Sequence, residues 1–153
     1  MKWMNHAIVT GTLVYGFTGG KVFLALVAVA GSLFPDRIEG KAPEEEEKLN
    51  TWRGLHRAAS HWFLPYAVVA GTLLVCAVSQ REGDIVSGRV LSLVGAFFLG
   101  SLFHIGEDAL CGRVPSLNPA KKIGTRFFAV GSVEEYLFCF SLAALLVLGM
   151  VFL

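Results

Sequence analysis

The chain has 153 residues, of which 54% are hydrophobic and 16% charged, whereas soluble domains carry about 25% charged residues. A net charge of +1 gives no electrostatic case for direct nucleic-acid binding. Its three cysteines, Cys76, Cys111 and Cys139, lack C-x-x-C spacing, so neither a thiolate metal site nor a disulfide framework is indicated.

Several apolar stretches approach the ~20 residues needed to cross a bilayer. The expected class is therefore an all-α, polytopic membrane protein. It forms one unit, 1–153, without a separate soluble domain. The opening "MKWMNHAIVTGTLVYGF" has a Lys and an apolar run but no clear small-x-small cleavage site, and is read as mature sequence.

The first apolar region, His6 to Phe34, would be roughly 43 Å long as one helix, too long for a ~30 Å core. "TGGK" at 18–21 breaks it, which predicts a hairpin of two short helices, about 5–17 and 21–34. Each is shorter than a standard span, so the pair implies thinned membrane or partial re-entry. "APEEEEKLNTWRGLHRAASHW" then predicts an amphipathic interfacial helix, with Pro43 in its first turn and acids at its positive end. The runs "WFLPYAVVAGTLLVCAVS" and "VLSLVGAFFLGSLF", joined by "QREGDIVSGR", predict two spans. "CGRVPSLNPAKKIGTRFFAVGSVEE" is loop-rich, and "YLFCFSLAALLVLGMVFL" is a third span.

With one hairpin and three crossings, the amino end, 35–61 and 109–135 share one face. Ten Lys and Arg lie there: Lys2, Arg37, Lys41, Lys48, Arg53, Arg57, Arg113, Lys121, Lys122 and Arg126. Only Lys21, Arg81 and Arg89 lie on the other, so the positive-inside rule places the first face in the cytoplasm. The same topology brings all four histidines, His6, His56, His61 and His104, to that face. Asp36, Glu39, Glu107, Asp108, Glu134 and Glu135 accompany them.

His104 and Asp108, four residues apart, share one helix face. Imidazoles with one or two carboxylates form a borderline ligand set. It suits Zn, Mn or Fe better than Ca, and six such ligands suffice for one or two divalent ions. Against this stands the plainer reading of hydrogen-bonded structural histidines, of Asp36 as a cap beside Pro35, and of an Asp paired with Arg57.

In order, the chain reads "NHAIVTG", "SLFPDRIEG", "HRAASHW", "FHIGEDAL" and "GSVEEY". This series resembles the YdjM-like family, also described as LexA-binding, inner-membrane-associated metal-dependent hydrolases, and the resemblance covers nearly the whole chain. It implies His6, Asp36, His56, His61, His104 and Asp108 as metal ligands. Glu135 would be a nearby acid, serving as ligand, outer partner or general base, and Arg57 would orient a carboxylate or bind phosphate. The chain departs from the family pattern at Glu39, where an Asp one position earlier is usual, and at Ser60, Trp62 and Cys111.

Two functions follow. One is a membrane-bound hydrolase of a phosphoester or lipid-like substrate at the cytoplasmic face of a bacterial inner membrane. Arg113, Lys121, Lys122 and Arg126 would attract anionic headgroups, and Glu135 or Glu107 would accept a proton. The alternative is a non-enzymatic membrane subunit, braced by a structural metal and docked on partner membrane proteins. Gly11, Gly16, Gly71, Gly95 and Gly100 would then allow close helix contacts. Membrane lipids are partners in either case. A bis-His haem reading is weaker, because haem needs neither Asp36 nor Asp108.

Overall fold

The computed structural model describes residues 1–79 and 85–152, and the described part is almost entirely helical. Half of the 80–89 connector predicted between the first two spans, residues 80–84 with Arg81, lies outside the described residues.

Helices α1 (Trp3–Phe17) and α2 (Val22–Ser32) form the expected hairpin. At ~1.5 Å per residue they are about 22 and 16 Å long, and neither crosses a ~30 Å core. Gly19 and Gly20 turn the chain between them at φ +64° and +85°, a region that glycine enters without a Cβ clash. A short helix α3 (Phe34–Glu39) follows, opened by Pro35 and closed by Gly40 at φ +80°.

The amphipathic helix is shorter than predicted. Helix α4 (Glu46–Leu55) starts three residues after Pro43, with Glu46 and Glu47 in its first turn. It ends at His56, and Arg57 adopts φ +54°, which no α-helix tolerates. The chain resumes as a single 3₁₀ turn (Ala59–His61) and then α5 (Phe63–Val78). Helices α6 (Ile85–Cys111) and α7 (Val133–Phe152) complete the fold. Between them a two-stranded antiparallel ribbon, β1 (Val114–Pro115) with β2 (Lys122–Ile123), pairs Val114 with Ile123. Two-residue strands are too short to show the alternation by which strands are read, so the sequence presents this segment only as loop.

Three helical segments are long and apolar enough to cross a membrane: Ala59–Val78, Ser87–Cys111 and Val133–Met150. Helix α6 is central, with α5 and α2 packed on it and α1 set between α2 and α7. The seam between α2 and α6 is close. A Cβ at Gly31 would overlap the Phe97 carbonyl, and one at Gly100 the Ala28 carbonyl. The Ser101 hydroxyl donates to the Gly31 carbonyl at 2.8 Å, tying the two backbones together. Of the other glycines expected at helix contacts, Gly95 meets Leu74 and Gly11 meets Val29, whereas Gly71 faces open space.

Polarity is inverted relative to a soluble domain. Leu137, Leu145 and Val75 stand exposed, while His6, His61, His104 and Glu135 are among the largest fully buried side chains. Apolar side chains outward suit a lipid environment. Polar ones inward must then satisfy one another.

Candidate metal centre

Each member of the buried polar cluster is delivered by a different local device. Pro35 sets the first turn of α3, and the next residue, Asp36, hangs below the α2 end. The break after α4 frees the chain to bring His61 inward on the 3₁₀ turn. The last two turns of α6 carry His104, Glu107 and Asp108, and α1 contributes His6 from its first turns.

Four of these residues converge. One ligand atom from each of Asp36, His61, His104 and Asp108 lies within 4.8 Å of all the others. The His61 Nε2 and His104 Nε2 atoms are 3.2 Å apart. Asp36 Oδ1 is 3.4 Å from the first and 3.5 Å from the second, and Asp108 Oδ2 is 3.4 and 3.6 Å away. Five of the six separations are therefore 3.2–3.6 Å, the range expected between neighbouring ligand atoms that each lie about 2.1 Å from a shared Zn. Asp108 Oδ2 is moreover buried, with the Arg57 guanidinium beside it. The donor set and the spacing fit a divalent cation.

The outer partners match that role. Ser60 Oγ is 2.9 Å from His61 Nδ1, and Glu39 Oε2 is 3.6 Å from it, so the far ring nitrogen is engaged and Nε2 faces inward. Arg57 grips Asp108 with two nitrogens, Nε 2.9 Å from Oδ2 and Nη2 donating to Oδ1 at 3.0 Å. Its backbone N–H donates to Glu39 Oε1 at 2.7 Å, which fixes the left-handed conformation. Gly112 makes room for the guanidinium, because a Cβ there would meet Arg57 Nη1 at 2.5 Å. The terminal ammonium of Met1 also bonds Asp108 Oδ1.

The remaining nominated residues lie around this core. His6 stacks beside His104 with ring centroids 4.0 Å apart, and its Nε2 is 3.4 Å from Asp108 Oδ1. Its Nδ1 is 2.5 Å from Glu107 Oε2, and Thr10 donates to the other Glu107 oxygen at 3.1 Å. His56 is outside the group: its Nδ1 lies 2.8 Å from Glu39 Oε1 and its ring stacks on Trp52. Glu135 is outside as well. Its Oε1 accepts from the Lys2 N–H at 2.7 Å and the Asn5 amide at 2.5 Å, and its Oε2 accepts from the Gly131 N–H at 2.6 Å. That carboxylate fastens α7 to the amino-terminal segment, a geometry that leaves little for the general-base role the sequence suggested. Lys122 donates to the His56 carbonyl at 2.7 Å rather than reaching the site.

The chain matches the YdjM inner membrane protein family over residues 1–152. It belongs to that family. No curated relative and no solved structure matches it. Membership of YdjM agrees with the three segments long and apolar enough to cross a membrane and locates the protein in an inner membrane.

Charge and exposure complete the site. Asp36, Glu39, Glu107, Asp108 and Glu135 put five carboxylates in one layer, against the Arg57 guanidinium and one ammonium. A divalent cation would reduce that imbalance. Burial opposes ionisation of Asp36, but the His104 and His61 rings facing it outweigh that, and its carboxyl is held well below the usual range. His61, His104 and Asp108 are buried, whereas the Asp36 side chain is 49% exposed, so the group opens on one side.

Chain geometry therefore adds participants that composition and spacing had not singled out. Asn5, Thr10, Ser60 and Gly112 act through hydrogen bonds or by leaving space. Glu107 carried a signal, three residues after His104 on the same helix.

Proposed function

We propose that the chain is a membrane-bound metal-dependent hydrolase that acts on a phosphoester or lipid-like substrate. The one observation that carries this reading is the open side of the ligand group. Four protein ligands fill a tetrahedron, so a catalytic ion here must add a further ligand, and the exposed Asp36 side is where a water or substrate oxygen can join it. Here three members are sealed in and the fourth, Asp36, faces a cavity.

In this reading Asp36, His61, His104 and Asp108 hold one ion, with Zn, Mn or Fe matching the donors. Such an ion supplies Lewis acidity toward a phosphoryl or carbonyl oxygen and makes water more acidic. Arg57 holds Asp108 charged and in register. Ser60 and Glu39 keep the His61 Nε2 lone pair directed inward, and Glu107 does the same for His6. Glu39 is nearly buried, with Oε2 free of hydrogen bonds and 3.6 Å from the His61 ring, and it is better placed than Glu135 to take up a proton. In this reading the site faces the cytoplasm, which the three segments long and apolar enough to cross and the ten-to-three cation bias support.

Metal analysis of the purified protein, together with turnover of phosphomonoester and phospholipid substrates, tests the reading. Bound metal and turnover that both disappear in His104→Ala support it. Metal bound without turnover of any such substrate favours the non-enzymatic subunit.

A further inference from the structure

A cavity of about 770 Å³ adjoins the exposed side of Asp36 and is lined by Trp3, Leu33, Asp36, Arg37, Gly40 and Lys41. Its lining divides by chemistry. Arg37 and Lys41 bring two positive charges within five residues of the ligand carboxylate, and among the described residues neither belongs to an ion pair. Trp3 and Leu33 supply an apolar wall, with Trp3 66% exposed at the start of α1, where an indole suits the boundary between headgroups and acyl chains. The basic residues that the sequence nominated for headgroup binding, Arg113, Lys121, Lys122 and Arg126, do not line it.

We propose that this cavity is the route by which substrate reaches the ligand group, and that Arg37 and Lys41 select a phosphate-bearing amphiphile while Trp3 and Leu33 hold its apolar portion. The proposal rests on the hydrolase reading for what happens next, but not for binding. Two unpaired cations beside one carboxylate leave a net positive mouth, which favours an anion over a neutral lipid. The planar Arg37 guanidinium can take two phosphate oxygens at once, and Lys41 adds a point charge. Because one wall is apolar, free phosphate satisfies only half of the lining.

The test is calorimetric binding to the metal-loaded protein in detergent micelles, with three probes: dihexanoyl phosphatidate, dihexanoylglycerol and inorganic phosphate. Phosphatidate is expected to bind more tightly than either of the others. The Arg37→Gln/Lys41→Gln double variant should weaken it by about tenfold or more, as expected when charge-assisted hydrogen bonds are lost. Metal content should stay at the wild-type level. Trp3→Ala should weaken phosphatidate and leave phosphate unchanged. The proposal is overturned if the double variant binds phosphatidate as wild type does, or if dihexanoylglycerol binds equally well. Phosphate binding as tight as phosphatidate overturns the amphiphile half. Turnover that persists in the double variant with unchanged KM sinks this route and spares the hydrolase. Arg37- and Lys41-dependent binding without any turnover does the reverse.

Discussion

His61 and His104 point their Nε2 atoms at each other across 3.2 Å, from a 3₁₀ turn and from the last turns of α6. Two imidazoles so placed, with a carboxylate oxygen from Asp36 and one from Asp108 between 3.4 and 3.6 Å of both, leave a space with four electron pairs directed at it. The first prediction is that the purified protein binds one divalent ion per chain. His61→Ala or His104→Ala should cost more than the ~100-fold affinity loss typical of an outer partner. His56→Ala should retain the metal, since that ring is paired with Glu39. Elemental analysis after dialysis checks all three.

Arg57 faces a different test. It is the side-chain cation against buried Asp108, and removing one partner of a buried pair typically costs about 3–5 kcal/mol. Arg57→Ala should therefore lower the thermal midpoint strongly in the metal-free protein and less in the metal-loaded one. Arg57→Lys should recover only part of the loss, because an ammonium cannot make the two-nitrogen contact. Thermal unfolding of both forms reads the difference. An Arg57→Ala protein as stable as wild type without metal would refute the assignment.

Glu135 separates a fastening role from a chemical one. Replacing it with Gln leaves one acceptor oxygen for three donors and should destabilise the fold by about 1–3 kcal/mol. Metal content should not change. If turnover is present, its loss should follow unfolding rather than precede it. Glu39→Gln keeps one oxygen for the Arg57 N–H and should lower turnover by more than its loss of stability explains, the opposite pattern.

The α2–α6 seam admits no side chain at Gly31 or Gly100. Gly100→Ala is expected to cost about 1–3 kcal/mol, as overpacking does, while Gly71→Ala, which meets nothing, should be neutral or slightly stabilising. Detergent-solubilised melting curves compare the two.

Orientation is checked by labelling. In a background lacking Cys76, Cys111 and Cys139, Leu117→Cys should react with a membrane-impermeant thiol reagent only after cells are permeabilised. Lys21→Cys should react in intact cells. The reverse pattern would place the ligand group outside.

Sequence alone carried the membrane class, the hairpin broken at 18–21, and the collection of His and Asp at one face, because hydropathy and glycine turns are local signals. It did not carry the division within the cluster. His56 and His61 look alike on paper, five residues apart in one motif. Only the left-handed turn at Arg57 sends His61 inward and leaves His56 against Trp52. Glu135 likewise reads as a chemical group until its three donors are seen, two of them backbone N–H groups that no spacing rule reveals. The interfacial helix was drawn too long for the same reason: the helix pattern continues past His56, but the carboxylate of Glu39 captures the Arg57 N–H and stops it.

The left-handed residue sets a limit on how this protein can change. Glycine is the amino acid that relaxes such a backbone, by roughly 1–2 kcal/mol, yet glycine has no guanidinium to offer Asp108. Position 57 thus pulls in two directions, one toward ease of folding and one toward the buried charge. Selecting libraries for heat resistance in the presence of excess metal should let glycine in there. Selecting without added metal should keep arginine.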